Sequence, residues 1–156
     1  RFANVDLLLE EYEPCFHCKG ISIMSMVDNP RYRVDFFYRP AALNRLLEAP
    51  GAKDILKKSG YPLESTLHEK LSCLRMRMSQ NNEFPHEIGL FLGYPPDDVR
   101  GFIEHQGKDF LFCGYWKVYA NEKIARELFQ CYTQCTERFC SKLQCGVPIQ
   151  ELLQAI

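Results

Sequence analysis

The stretch from residue 84 to residue 119, FPHEIGLFLGYPPDDVRGFIEHQGKDFLFCGYWKVY, constrains the fold most strongly. Prolines near the start and glycines at the end delimit two short helices, predicted at residues 85–93 and 95–107. The aromatic residues 110–119 then predict a β-strand with a kink or bulge at Gly114. Two helices joined by a proline elbow and followed directly by a strand are typical of an α+β fold.

The flanking segments add further strands and helices. Residues 21–27 and 32–38 have β-like composition, and the turn residues Asp28-Asn29-Pro30-Arg31 separate them. Apolar stripes and proline, glycine or asparagine stops predict the remaining helices, at residues 3–12 (ended by Pro14), 40–48, 50–60, 62–80, 121–146 and 149–156. The chain is therefore predicted to form a single α+β domain, residues 1–156, with a small antiparallel sheet of about three strands packed with five to seven helices.

Net charge and hydropathy separate the chain from several classes of protein. Its 156 residues carry a formal net charge of -1, and 46% of them are hydrophobic and 25% charged, as in an ordinary globular domain. This balance argues against a basic nucleic-acid binder and against an acidic DNA mimic. No apolar run approaches the roughly 20 residues of a transmembrane helix, so no membrane partner is expected. The chain begins at Arg1, which leaves open the removal of a leader or N-terminal segment.

The eight cysteines favour a reducing compartment. An even number would suit four disulfide bridges in a small secreted protein. However, long helical patterns and a normal apolar content need no cross-links, and several cysteines share one predicted helix, where neighbours bridge poorly. A cytoplasmic protein with reduced thiols is therefore expected.

Cys15, His17 and Cys18 form the densest local group of potential metal ligands. A Cys-x-x-Cys redox motif usually follows a strand and precedes a helix, whereas this one follows a predicted helix and precedes a strand. As half of a zinc site it needs a second pair of ligands. A buried structural turn is the simpler interpretation, because free cysteine is often buried. Zinc or iron at these three residues remains the alternative to a chain without a cofactor.

The last long helix carries Cys131, Cys135, Cys140 and Cys145. Cys140 points nearly opposite to the other three, and Cys145 lies about 15 Å along the helix from Cys135, so one metal ion cannot gather them. Pairing Cys131 and Cys135 with the N-terminal Cys-x-x-Cys would make a four-thiolate site, which the sequence neither requires nor excludes. The favoured interpretation is that these small residues let the helix pack closely.

Catalytic templates find little support. His86 and Glu87 start a helix, but Leu90 stands where the two-histidine zinc motif needs its second histidine. An enzyme is not expected, and an unfamiliar activity around His86 and Glu87 is kept as a third possibility. The two helices also resemble a helix-turn-helix, but Asp97 and Asp98 at the start of the second would repel phosphates, which disfavours sequence-specific DNA binding.

The aromatic strand is the best candidate for partner binding. Strand alternation would place Tyr115, Lys117 and Tyr119 on one face and Trp116 with Val118 on the other. Aromatic side chains beside a lysine can grip a partner protein or stack on bases, and the alternative is an amphipathic strand with a buried tryptophan. The predicted partner-binding residues are Tyr115, Trp116, Lys117 and Tyr119 together with Arg31, Arg33 and Arg39.

The motif FPHEIGLFLGYPPDDVRGFIEHQGK followed by CGYWKVY resembles a family of uncharacterised proteins from anaerobic Gram-positive, clostridial-type bacteria. The resemblance is specific over residues 84–119 and extends from about residue 32 onward. The family, known as a domain of unknown function, implies no activity, cofactor or catalytic residue. The resemblance implies two genomic settings for the relatives. Some relatives lie near iron-transport and flavodoxin genes, and others occur on mobile elements, among them inhibitors of CRISPR nucleases.

Two hypotheses follow. The first is a non-enzymatic binding module that docks on a protein or ribonucleoprotein partner, with an inhibitor of a CRISPR effector nuclease as its most specific form. The second is a thiol- or metal-dependent accessory protein of anaerobic iron or redox metabolism that uses Cys15 and Cys18. An exposed aromatic patch would favour the first, and converging thiols would favour the second.

Overall fold

The structure is a computed structural model that describes residues 3–62, 64–80 and 84–152. Over these residues it contains eight helices and four strands, which confirms the predicted α+β class. The helices are α1 Ala3–Cys18, α2 Pro40–Leu47, α3 Pro50–Lys58, α4 Leu67–Gln80, α5 Ile88–Phe91, α6 Pro96–Glu104, α7 Glu122–Gln144 and α8 Ile149–Leu152. The strands are β1 Ser22–Asp28, β2 Arg33–Tyr38, β3 Phe112–Cys113 and β4 Lys117–Val118.

β1 and β2 form the predicted hairpin. The strands are antiparallel, with Ser22 opposite Tyr38 and a register shift between Ser25 and Val27. The Asn29 side chain accepts hydrogen bonds from backbone N–H groups of the turn, at 2.9 and 3.0 Å, which is the local geometry that asparagine favours. This part of the fold follows from the turn residues and the alternation beside them.

The prediction of one three-stranded sheet is wrong, because the described residues form two separate two-stranded sheets. Residues 110–119 reverse direction at Gly114 and pair with themselves, with Phe112 opposite Val118. A Cβ atom on Gly114 would lie only 2.2 Å from the Phe129 ring, so the turn packs directly against α7 at a residue that has no side chain. The kink predicted at this glycine is in fact the turn of a second hairpin.

Two helix boundaries differ from the prediction. α1 continues through Pro14 to Cys18. A proline removes only its own N–H donor from the helix, and Pro14 lies on an exposed position of α1. α4 begins at Leu67 rather than at residue 62, because Thr66 and Glu69 form a capping box: Glu69 accepts from the Thr66 N–H at 2.7 Å and its own N–H donates to the Thr66 hydroxyl at 3.3 Å. Leu63, the stop predicted at residues 81 and 82, and the tail beyond Leu152 lie outside the described residues.

Within the described residues, the buried apolar side chains form two clusters. The larger cluster comes from β1, α2, α3, α4, α5 and α6, together with Tyr61 from a loop. The smaller consists of Trp116, Val118 and Ala125, where the β3–β4 hairpin meets the start of α7. Tyr94, in the proline elbow between α5 and α6, packs against both clusters. This elbow therefore joins the helical core to the second hairpin.

A charged cluster lies beside the larger core. Lys70 is only 2% exposed, and its Nζ atom lies 2.6 Å from Glu48, whose other carboxylate oxygen lies 2.5 Å from Lys53. Hydrogen bonds from Lys53 and then from Lys70 lower the pKa of Glu48 from 4.5 to about 2. The unfolded chain lacks these bonds, so the stabilising effect is present above about pH 4.5 and is lost as the pH falls towards about 2.

We expect Glu48→Gln to lower the urea midpoint of unfolding at neutral pH, with a difference from the unmodified chain that shrinks as the pH falls from 4.5 to about 2. Asp54→Asn is the matched control, because Asp54 forms only an exposed pair with Lys58 at 3.1 Å. Its midpoint should follow that of the unmodified chain throughout. A Glu48→Gln difference that is independent of pH would contradict this assignment.

Candidate binding cleft

An open cleft of about 380 Å³ lies where α5 and α6 face the β3–β4 hairpin. Most of its wall is apolar. Its lining residues are Phe84, Pro85, His86, Ile88, Gly89, Tyr94, Asp98, Val99, Phe102, Cys113, Gly114, Tyr115, Trp116 and Lys117. All of them belong to the 84–119 stretch, so the segment that constrains the fold also builds the cleft.

The buried carboxylate of Asp98 joins the two sides of the cleft. Asp98 lies in the first turn of α6 and is 3% exposed. One of its oxygens accepts a hydrogen bond from the Trp116 indole N–H at 2.7 Å, and the other accepts from the backbone N–H groups of Tyr119 and Ala120 at 2.8 and 2.9 Å. A buried charge needs such partners, and these three bind the second hairpin to α6.

The Trp116 ring forms part of the cleft wall and is held by other aromatic rings. It stacks on Tyr94 with ring centroids 4.6 Å apart, and it meets Phe129 of α7 edge-on at 4.4 Å. Aromatic pairs in these geometries add to the free energy of burial. With its N–H bound to Asp98 and 7% of its surface exposed, Trp116 has one defined position.

The mouth of the cleft is aromatic and exposed. Phe84 is 52% exposed and Tyr115 49%. The His86 ring lies at the mouth, edge-on to Phe102 at 5.0 Å. The Lys117 ammonium donates to the Gly107 carbonyl at 2.7 Å and lies 4.9 Å from the centroid of the Phe110 ring, so its charge is fixed beside the cleft by a hydrogen bond and a cation–π contact.

Asp98, His86 and Cys113 line the cleft without hydrogen-bonding to one another in the described part of the chain. Asp98 is occupied by its three hydrogen bonds. His86 and Cys113 both line the cleft, but no hydrogen bond joins them within the described part of the chain. Nucleophilic catalysis by a thiol requires a base within hydrogen-bond reach.

His86 and Glu87, predicted as neighbours in a possible enzyme site, point to different parts of the molecule. Glu87 is 3% exposed and accepts hydrogen bonds from the Tyr61 hydroxyl at 3.0 Å and the Arg77 guanidinium at 2.6 Å. Burial, followed by the adjacent carboxylate charge, raises the pKa of Tyr61. Arg77 also donates to the Ser59 carbonyl at 3.0 Å. Glu87 therefore links the start of α5 to α4 and to the loop that follows α3, whereas the His86 side chain lies in the cleft lining.

The predicted partner-binding residues of the aromatic strand separate by burial. Trp116 is buried, Lys117 and Tyr119 are half-buried, and Tyr115 is exposed. The Tyr119 ring stacks on His105 at 5.6 Å and lies outside the cleft lining. Of these four residues, Tyr115 alone presents a large exposed surface at the cleft mouth, with its hydroxyl 3.2 Å from the Thr133 hydroxyl on α7.

The three predicted arginines lie on or next to the first hairpin, which belongs to a different sheet. Arg33 forms ion pairs with Asp6 of α1 and with Asp35 at 2.6 Å, and these hydrogen bonds raise its pKa. The Arg39 guanidinium donates to the Lys19 carbonyl. Arg31 is exposed. Arg33 and Arg39 thus hold α1 and the segment after it against the hairpin.

The predicted metal ligands Cys15, His17 and Cys18 lie in the last turn of α1. Because successive residues of a helix are about 100° apart, His17 projects away from both thiols. Across residues 3–62, 64–80 and 84–152, no three histidine, cysteine, aspartate or glutamate side chains are grouped closely enough to hold a metal ion. Zinc or iron at these residues remains a proposal.

Sequence reasoning missed most of the cleft wall. Phe84, Tyr94 and Phe102 are not among the predicted binding residues, yet they line the cleft together with Trp116. The available signal was the density of aromatic residues around the proline elbow. No local pattern distinguishes an aromatic residue that fills a core from one that lines an open cleft.

The fold and the cleft define an α+β domain with a preformed, aromatic-lined apolar site. The chain belongs to the family described as "Protein of unknown function (DUF3793)", whose model matches residues 2–153. The family assignment made from the 84–119 motif is thereby confirmed at the level of a domain of unknown function. Searches of curated proteins and of solved structures found no match. None of the described helices has the length and apolar character needed to cross a membrane.

Proposed function

We propose that this protein is a non-enzymatic binding module that holds an apolar side chain of a partner protein in the aromatic-lined cleft. The observation that carries the proposal is the open cleft of about 380 Å³, with Phe84 and Tyr115 exposed at its mouth. Binding sites are typically concave and mostly apolar, with a few fixed polar groups. Exposed aromatic residues around such a site are characteristic of interface anchors.

The rigidity of the cleft wall supports this function. Trp116 is fixed by Asp98 and by stacking on Tyr94, so little side-chain freedom remains to be lost when a partner binds. Preorganised sites convert more of their contact energy into affinity. The Lys117 ammonium, held beside the cleft, supplies a defined positive charge for a carboxylate or carbonyl of the partner.

The proposed partner is a protein, or the protein part of a ribonucleoprotein. A net charge of -1 gives no general attraction to a nucleic-acid backbone. Arg33 and Arg39 are engaged in internal contacts, so the cleft and not the arginine group supports docking. A CRISPR effector nuclease, the partner class suggested by the family resemblance, is the first purified protein to test.

A displayed peptide library selected on the immobilised chain tests the proposal without a known partner. We expect enriched peptides that contain an aromatic or large aliphatic residue and that shift the emission of Trp116, the single tryptophan. Phe84→Ala should lower the affinity for these peptides, and for any effector nuclease that binds, by about tenfold, which corresponds to about 1.4 kcal/mol. Affinities are measured by titration calorimetry.

Met76→Ala is the matched control, because Met76 is 51% exposed on α4 and lies outside the cleft lining. It should leave the affinities unchanged. Peptides that bind equally well to the Phe84→Ala and Met76→Ala variants, without any change in Trp116 emission, would show that the cleft is not the docking site.

A second candidate is a thiol- or metal-dependent accessory protein of anaerobic iron or redox metabolism. It is favoured by the free state of all eight cysteines, six of which are exposed. Cysteine is usually among the most buried residue types. Free thiols also support the cytoplasmic location expected from the sequence. This function would use Cys15 and Cys18 at the end of α1, where Cys18 is exposed and Cys15 is half-buried.

A further inference from the structure

The outer part of α7 and its C-cap residue carry four exposed free thiols, those of Cys131, Cys135 and Cys140 in the helix and of Cys145 at the cap. The expectation that these small residues let the helix pack closely is wrong, because from residue 130 to the end of α7 only Phe139 is even half-buried. Packing within the chain therefore does not explain why cysteines occupy these four positions. Exposed thiols are free to react or to bind ions.

Cys131 and Cys135 lie on one face of the helix. Residues four apart differ by about 40° around the axis, and their Cβ atoms are about 5–6 Å apart. A disulfide needs Cβ atoms about 3.5–4.5 Å apart, so this pair stays a dithiol while the helix is intact. When two thiolates bind one metal ion with metal–sulfur bonds of about 2.3 Å, their sulfur atoms are at most about 4.6 Å apart. Rotation of the Cys131 and Cys135 side chains can bring the two sulfur atoms to this separation.

The two remaining thiols provide an internal comparison. Cys140 is five residues from both Cys135 and Cys145, so it differs from each by about 140° around the helix. A thiol on the opposite side of the helix cannot share an ion with either neighbour. Among the four thiols of α7 and its C-cap, only those of Cys131 and Cys135 are close enough along the same face to share one ion.

We propose that Cys131 and Cys135 form a two-thiolate site for a soft monovalent cation of the Cu(I) type. Thiolates select soft ions, and Cu(I) accepts two of them in linear coordination. Zinc prefers four ligands. In the described part of the chain, no third histidine, cysteine, aspartate or glutamate lies close enough to complete a zinc site with this pair. On binding, each thiol releases one proton to solvent and the ion keeps its oxidation state, so the site holds two thiolates and one cation. This site is independent of the proposed cleft function.

The test is anaerobic titration of the reduced chain with Cu(I) in competition with a colorimetric Cu(I) chelator. The Cys131→Ser/Cys135→Ser variant should lose one tightly bound equivalent per chain and the accompanying sulfur-to-copper absorbance. The matched Cys140→Ser/Cys145→Ser variant should keep that equivalent. The Cys15→Ser/Cys18→Ser variant should keep it as well, which separates the α7 site from the N-terminal one. Far-ultraviolet circular dichroism checks that each variant retains its helices.

Three results would overturn the proposal. One is an unchanged number of copper equivalents in the Cys131→Ser/Cys135→Ser variant. Another is an equal loss in the Cys140→Ser/Cys145→Ser variant, which would show nonspecific thiol binding. The third is one copper per two chains with copper-dependent dimerisation in sedimentation velocity, which would assign the thiols to an interface between copies.

Discussion

Replacing Asp98 by alanine should lower the free energy of unfolding by about 4 kcal/mol. The substitution removes the acceptor of three hydrogen bonds and leaves the Trp116 indole N–H and two backbone N–H groups without it. The buried Trp116 donor left unpaired costs about 1–3 kcal/mol, and the two partly buried backbone donors add to this loss. Urea unfolding followed by circular dichroism measures the loss, and Trp116 emission reports whether the ring becomes exposed.

Two further variants sharpen this prediction. Asp98→Asn keeps one acceptor oxygen but places an amide N–H₂ group near a donor, so its cost should be smaller, about 2 kcal/mol. Asp97→Asn is the neighbouring control: its side chain is 68% exposed and pairs only with Arg100 at 2.9 Å. Its effect should stay within about 0.5 kcal/mol. Equal effects at positions 97 and 98 would contradict the assigned role of the buried carboxylate.

Gly101→Ala should destabilise the protein by about 2 kcal/mol, although helix propensity alone predicts a gain of about 1 kcal/mol. Gly101 is buried in α6, and a Cβ atom there would lie 2.4 Å from Cγ and 2.5 Å from Cβ of Tyr119. The Tyr119 Cβ atom is fixed by the backbone, so side-chain rotation cannot relieve this contact. The helix and the segment after β4 would have to separate, which would also disturb the hydrogen bonds to Asp98.

A double-mutant cycle with Tyr119→Gly tests this explanation by urea unfolding. In the Tyr119→Gly background both the ring and the Cβ atom are absent, so Gly101→Ala should cost much less or become stabilising. An additive result, with the same loss in both backgrounds, would place the cause elsewhere. Asp98 and Gly101 both belong to α6, which forms part of the cleft wall. Asp98→Ala and Gly101→Ala should therefore also weaken the binding of ligands to the cleft.

Local rules predicted the elements whose cause lies within a few residues of sequence. The β1–β2 hairpin follows from the Asn29 turn, and the start of α7 follows from Asn121, whose side chain accepts from the Ile124 N–H at 3.2 Å. Gly93 and Gly107, predicted as helix ends, have φ values of +81° and +72° that glycine adopts without strain.

Other features depended on contacts between residues distant in the chain. Residues 110–119 become a hairpin because the Phe129 ring packs against the turn at Gly114 and Asp98 binds the backbone beyond β4. Neither partner is visible in the strand's own alternation, which is satisfied equally by one strand or by two. The number of sheets was therefore decided by tertiary packing.

The sequence by itself determined the α+β class, the first hairpin and most helix boundaries, because turns, caps and apolar periodicity act locally. Only the tertiary structure decided which residues meet. It turned Glu87 towards Arg77 and left His86 in the cleft, and it left the cysteines of α7 exposed. The physical reason is that burial and pairing depend on the approach of distant segments, and residue type alone does not specify that approach.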